Sequence, residues 1–205
     1  MIDLYTYGTS NGQRASIMLE ECGLTHTPHK IDLDKGDQKA PEFLKLNPQG
    51  QIPVIVDHDR PGGKPLTLCQ SGAIMLYLSE KAGKFMPRDA TRRALAQQWF
   101  MQVMTDIAPS SAALFVATNV LLEAPAAVRG FFQQRLMNHF RSCNRRLEEV
   151  EFLAAELSIA DLALYPTVAT RWDMIEQSGE LPHLVRWASA VASRPGVQRG
   201  MMVPD

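Results

Sequence analysis

At 205 residues, with 45% hydrophobic and 21% charged residues, the chain can bury a core as one large domain or two small ones. A formal net charge of -1 gives no electrostatic reason to expect a nucleic-acid partner. The start Met1-Ile2-Asp3-Leu4-Tyr5 lacks a signal peptide's basic region and apolar run, and no uninterrupted apolar stretch is long enough to span a bilayer, so a cytoplasmic protein with no membrane partner is expected.

Ile2, Leu4 and Thr6 alternate with Asp3, Tyr5 and Tyr7, the period of a strand. A helix is predicted from about Gly12 to Cys22, with Ser10 or Asn11 as N-cap and Gly23 just past its end. His29-Lys30-Ile31-Asp32-Leu33 reads as a second strand, and Ala40 to Leu46 as a short helix with Pro41 in its first turn, stopped at Asn47-Pro48. Two more strands, Pro53–Asp57 and Leu66–Cys69, flank the turn-rich Arg60-Pro61-Gly62-Gly63. A helix from Ser71 to Lys81 follows, with Ile74, Tyr77 and Leu78 on one face. The order β-α-β-α-β-β-α predicts an α/β unit over residues 1–82.

Residues 82–88 read as a linker, and no strand signal follows, so residues 89–205 are expected to form an all-α domain. Asp89 or Thr91 opens a long helix through Trp99 to about Ile107, near Pro109, and another begins near Pro125 and runs to about Glu149. Ser158-Ile159-Ala160-Asp161 is an acidic variant of the capping box, with Leu157 and Leu162 placed as a hydrophobic staple. The last clear helix opens at Pro182, with Leu184, Trp187 and Val191 at core spacing, and ends before Pro195-Gly196.

Cys22, Cys69 and Cys143 are odd in number and far apart, with the spacing of neither a disulfide framework nor a metal site. There is no Cys-x-x-Cys, so redox chemistry on this chain requires a thiol supplied by a ligand. The histidines are scattered, and His26 and His29 read as surface residues rather than metal ligands.

The most specific stretch is Gln51-Ile52-Pro53-Val54-Ile55-Val56-Asp57 followed by Gln70-Ser71-Gly72-Ala73-Ile74. Pro53 cannot donate a ladder hydrogen bond, and a cis Ile52-Pro53 bond would leave the Ile52 N–H and C=O free to pair with an outside peptide. Ser71 reads as an N-cap, and the unpaired N–H groups behind it form a site for a carboxylate. A peptide-pairing edge beside a carboxylate-binding helix end suits a small acidic peptide such as glutathione.

Asn47-Pro48-Gln49-Gly50-Gln51-Ile52-Pro53 with Gln70-Ser71-Gly72-Ala73-Ile74 resembles the glutathione transferase superfamily, over nearly the whole chain. The resemblance implies a thioredoxin-like N-terminal domain, an all-helical C-terminal domain and, as in most of the family, a homodimer. Thr9-Ser10-Asn11-Gly12-Gln13 further resembles the Thr-Pro-Asn-Gly turn of the bacterial nu class, in which the threonine hydroxyl and asparagine amide face the sulfur. It ranks Thr9 first and Asn11 second as the groups that activate the thiol. Ser10, standing in place of the proline, and Tyr7, where tyrosine-type classes put a phenol, rank behind.

By position, the resemblance implies that Ile52 should pair with the cysteinyl backbone of glutathione, Ser71 should take the γ-glutamyl carboxylate and Gln70 its ammonium. Gln38 matches a nu-type position that faces the glycine end, with Lys39 a weaker candidate. Nu-type proteins carry glutamate where Gln70 stands, so that contact is uncharged here. The electrophile site is expected against the helix carrying Met101, Gln102, Met104 and Thr105. The arginine that the nu class supplies from the second domain has no aligned counterpart, Arg129 and Arg135 being only nearby. The implied function is glutathione-dependent disulfide reduction or transfer through the bound thiolate, with no metal. The alternatives are conjugation of apolar electrophiles through Tyr7, or a non-catalytic binder that keeps the fold.

Overall fold

A computed structural model of the protein describes residues 1–60 and 62–204. Two compact units emerge, Met1–Phe85 with Ala192–Asp205, and Met86–Val191. Pro61, in the predicted turn between two strands, lies outside the described residues.

The first unit is built on a sheet of β1 (Ile2–Thr6), β2 (His26–Lys30), β3 (Val54–Asp57) and β4 (Leu66–Cys69), in the spatial order β2-β1-β3-β4. β1 runs parallel to β2 and antiparallel to β3, and β3 is antiparallel to β4. With α1 (Ser10–Cys22), α2 (Pro41–Leu46) and α3 (Ser71–Ala82), this is the expected thioredoxin-like arrangement. In β1 the alternation is realised as buried Ile2, Leu4 and Thr6. The interior strand β3 is buried at all four positions, including Asp57.

β2 begins three residues earlier than predicted. Its ladder follows β1 from Ile2↔His26 to Thr6↔Lys30 and ends where β1 ends. Pro28 is tolerated within it because β2 is an edge strand, where a missing N–H costs no ladder bond. The histidine-rich edge is also tied down, since Asp3 Oδ1 and Oδ2 lie 2.9 Å from His29 Nε2 and 2.7 Å from His58 Nε2.

Gly23, at φ 70°, ends α1 with its N–H on Glu20 and Leu19 carbonyls, and Gly83 ends α3 in the same way. α3 is fastened to β3 by a buried carboxylate. Tyr77 donates to Asp57 Oδ2 at 2.6 Å, Lys81 Nζ lies 2.7 Å from the same atom, and the Asp59 N–H donates to Oδ1. Burial raises the Asp57 pKa, but the Lys81 and Tyr77 bonds outweigh it and leave it below the usual value. Burial and this carboxylate push the Tyr77 phenol up to about 12.

A helix beyond those predicted completes this unit. α10 (Pro195–Met201) has Pro195 in its first turn and packs on α1. Gly200 makes the approach possible: a Cβ there would lie 2.5 Å from Ile17 Cα. Ser16 donates to the Gly200 carbonyl at 2.6 Å, and Arg194 and Arg199 pair with Glu21 and Glu20.

The second unit is helical: α4 (Ala90–Gln102), α5 (Ala108–Phe115), α6 (Ala126–Glu149), α7 (Ile159–Thr170), α8 (Trp172–Ser178) and α9 (Pro182–Ala192). Asp89 is the N-cap of α4, its carboxylate accepting from the Arg92 N–H at 2.9 Å. The first helix does not stop near Ile107, as Pro109 led the sequence to predict. A π-helical turn over Val103–Ile107 lets the Ala108 N–H reach the Val103 carbonyl, so the chain continues through Pro109 without the usual clash.

The resulting run, Ala90–Val120, is by length and composition apolar enough to cross a membrane. No such span is evident in the sequence as an uninterrupted apolar stretch, because Gln102, Thr105 and Asp106 break it. Trp99, Phe100, Val103, Ile107 and Leu114 from this run are buried within the protein. The capping box at Ser158 forms as predicted, and buried Asp161 also accepts from the Leu153 N–H and the Trp187 indole N–H.

Gly200→Ala is expected to lower the unfolding free energy by about 1–3 kcal/mol, because the new methyl overlaps Ile17 backbone. Gly130→Ala, inside α6 with open space around its Cα, should instead stabilise by about 0.5–1 kcal/mol. Denaturant titration of both variants checks the opposite signs.

Candidate active site

Register alone brings the candidate residues to one end of the sheet. Tyr5 pairs with Val54, and Val54 with Cys69, so the end of β1, the start of β3 and the end of β4 lie in one transverse row. Thr9 follows the first, Ile52 precedes the second, and Gln70 and Ser71 follow the third.

At the first of these chain ends, Thr9 rather than Ser10 or Asn11 caps α1. Its φ of -107° and ψ of 159° are extended, and its Oγ1 accepts from the Gly12 N–H at 3.2 Å. Gly12 has no room for a side chain, since a Cβ would overlap the Tyr7 carbonyl oxygen and Thr6 Oγ1. Asn11 is exposed and accepts at Oδ1 from Arg14 Nη1 at 2.5 Å. Arg14 itself is fully buried, which pulls its pKa down to about 10 and leaves it cationic at neutral pH. Tyr7 is engaged elsewhere. Its hydroxyl donates to Asp34 Oδ2 at 2.9 Å, and that carboxylate raises the phenol's pKa.

The second chain end is shaped by Asn47, which is buried. Its side-chain amide donates to the Gln51 carbonyl at 2.7 Å and its Oδ1 accepts from the Gln49 N–H at 3.1 Å. Gly50, at φ 62°, turns the loop against the Gln38 carbonyl, which a Cβ would approach to 3.0 Å. The Ile52-Pro53 bond is cis. Neither the N–H nor the C=O of Ile52 enters a turn or ladder hydrogen bond among the described residues. Gln38, in the short 3-10 turn Asp37–Lys39, has a buried Oε1 without a partner among the described residues.

At the third, Ser71 is not the N-cap but the first residue of α3. Gln70 occupies the cap at φ 71° and ψ 113°, with no side-chain cap bond. A capping side chain at Ser71 would need extended backbone there, and the helix has already begun. The Ser71 hydroxyl is nevertheless well placed, because the residue is only 6% exposed and its Oγ has no hydrogen bond among the described residues. It stands with the open first-turn N–H groups of a 12-residue helix.

Cys69 stands at this end of the sheet, but not as an activated thiol. Burial pushes Cys22 up to about 11 and Cys143 up to about 12, and it also raises Cys69. Met101, Gln102, Met104 and Thr105 belong to the second unit, on α4 and its π turn, where Met101 is half exposed and Thr105 donates to the Met101 carbonyl. Asn47, Gly12 and Arg14 shape or touch the candidate residues and are not singled out by sequence reasoning. Asn47 and Gly12 are visible as parts of the quoted motifs, whereas a buried arginine in a helix carries no sequence signal.

Gln70 holds a left-handed φ that costs a non-glycine residue about 1–3 kcal/mol. Gln70→Gly should therefore raise the unfolding free energy of the ligand-free protein by about 1 kcal/mol, net of the added chain entropy. An unchanged or lower value in denaturant titration would show that the conformation is unstrained.

The family model described as "Glutathione S-transferase, N-terminal domain" matches residues 10–81. The chain is 35% identical over 205 residues to the disulfide-bond oxidoreductase YfcG of Escherichia coli, covering 98% of this chain and 95% of that one. It is 32% identical to the disulfide-bond oxidoreductase YghU of the same organism, covering 98% and 74%. Among solved structures, a glutathione transferase of Pseudomonas putida, with one glutathione disulfide bound per subunit, superposes with a TM-score of 0.92 at 33% identity, covering 100% and 92%. One from Burkholderia graminis, with two glutathione molecules bound per subunit, superposes with a TM-score of 0.93 at 36% identity, covering 100% and 88%. The capped turn after β1, the cis-proline loop before β3 and the open start of α3 are thus set in a chain that belongs to the glutathione transferase family.

Proposed function

We propose that this protein is a glutathione-dependent disulfide-bond reductase of the nu type, in which the sulfur of bound glutathione is the nucleophile. The observation that carries this reading is the mismatch between the protein's thiols and its open polar groups. All three cysteines are held up toward the neutral form, while unpaired donors and acceptors gather at one end of the sheet. The thiolate is the reactive species, and a free thiol titrates near ~8.5, so a site that works at neutral pH must stabilise a sulfur brought to it.

The residues divide this work by chemistry. Thr9 Oγ1 already accepts the Gly12 N–H, which leaves its own proton to donate to the sulfur. Asn11 supplies a second donor, and the start of α1 adds its dipole. Each unit of pKa lowering requires about 1.4 kcal/mol, within reach of one charge-assisted bond. Ile52 offers its N–H and C=O to the cysteinyl backbone, Ser71 and the α3 N–H groups hold the γ-glutamyl carboxylate, Gln70 takes the ammonium, and Gln38 meets the glycine end.

The bound thiolate attacks one sulfur of a disulfide, forming a mixed disulfide and expelling the other sulfur as a thiolate that takes up a proton. A second glutathione thiolate attacks the mixed disulfide, leaving glutathione disulfide and a second reduced thiol. The names of the Escherichia coli relatives, and the glutathione disulfide or paired glutathiones in the bacterial neighbours, support this sequence. Family membership also supports a homodimer acting in the cytoplasm. The Tyr7 phenol, committed to Asp34, does not favour the tyrosine-type conjugation route.

Thr9→Ala should raise the pKa of bound glutathione by about one unit and lower turnover near neutral pH about tenfold, with affinity little changed. Tyr7→Phe should leave both intact. Thiolate absorbance against pH, with parallel assays of disulfide reduction and aryl-halide conjugation, decides the matter. Loss of the thiolate in Tyr7→Phe but not in Thr9→Ala, with conjugation the faster reaction, would overturn the proposal.

A further inference from the structure

An asparagine side chain is ambiguous at a thiolate site. Its nitrogen end donates and stabilises the anion, whereas its oxygen end would repel it. Asn11 lies in the first turn of α1 and is exposed, so its own packing leaves the carboxamide free to turn either way. The open N–H groups of the helix start also compete for its oxygen.

Arg14 removes the ambiguity. It stands three residues on, hence on the same face of α1 one turn away, and its Nη1 lies 2.5 Å from Asn11 Oδ1. A guanidinium has five donors and no acceptor, so whatever Asn11 presents to it must be the oxygen. The arginine cannot drift to solvent, because it is fully buried.

We propose that Arg14 is a positioning residue for the sulfur site: it holds the Asn11 carboxamide by its oxygen, so that the nitrogen is the atom offered to the ligand. This rests on reading the bound glutathione thiolate as the nucleophile. Arg14 touches neither sulfur nor substrate in this role. It sets the sign of a neighbouring dipole.

A double-mutant cycle on the full chain tests it, reading the pKa of bound glutathione by thiolate absorbance and turnover in disulfide reduction. Asn11→Ala and Arg14→Met should each lower turnover near neutral pH about tenfold and raise the thiolate pKa, as loss of one charge-assisted bond requires. The double variant should be no worse than either alone, because the arginine acts only through the asparagine. Arg14→Lys, which keeps a donor, should recover part of the loss. Multiplying effects, or an unmoved thiolate pKa in Arg14→Met, would assign the arginine a structural role and overturn the proposal.

Should Arg14→Met fail to fold, nitrogen-15 spectra of the wild-type protein carry the test. The Asn11 side-chain amide resonances must shift on adding glutathione, and unshifted resonances overturn the proposal. If Asn11→Ala alone is silent, the proposal fails with the role given to Asn11, while the Thr9 comparison still judges the bound thiolate separately.

Discussion

Gly12 sits so close to the end of β1 that the smallest side chain would strike the Tyr7 carbonyl oxygen. That contact sets the geometry of the first turn of α1. It allows the helix to start directly off the strand, with Thr9 as cap and its free N–H groups at the end of the sheet where β3 begins. The other side of the site is fixed at a distance by Asp57. The buried carboxylate takes Tyr77 and Lys81 from α3, so the helix whose first residue is Ser71 cannot slide along the sheet. The two constraints hold the polar starts of two helices at the edges of one strand row.

The chemistry follows from what the protein leaves unsatisfied. Backbone groups in a fold are nearly always paired, so an Ile52 amide with no partner, a Ser71 hydroxyl with none and a buried Gln38 oxygen with none among the described residues are informative together. The strained backbone at Gln70 belongs to the same pattern, since such conformations persist where the surroundings enforce them and concentrate at ligand sites. The cysteines show the opposite arrangement. Each is packed where its thiolate would be costly, which suits structural residues rather than nucleophiles.

Much of this is legible in the sequence because it rests on local rules. Alternation marks β1, Gly23 marks the end of α1, and Pro53 and the Ser-Ile-Ala-Asp box announce features that the structure contains. The differences have a common origin in tertiary context. Pro109 reads as a helix stop, yet a π turn absorbs it. β2 is shifted because its pairing with β1, not its own composition, decides where it starts. Ser71 reads as a cap, but the turn from β4 places the cap one residue earlier. α10 is hidden because a short helix with two glycines has little propensity, and it forms where those glycines let it lie against α1. At the site, the motif residues are visible from sequence, whereas Arg14 is not, because its part depends on burial and on a neighbour's orientation.

The central claim, that the working sulfur belongs to bound glutathione, is tested most directly on a chain without thiols. A variant with Cys22, Cys69 and Cys143 all replaced by alanine, assayed for glutathione-dependent disulfide reduction alongside its circular dichroism, should keep most of its turnover. A well-folded variant with no activity would contradict the claim and return the nucleophile to the protein.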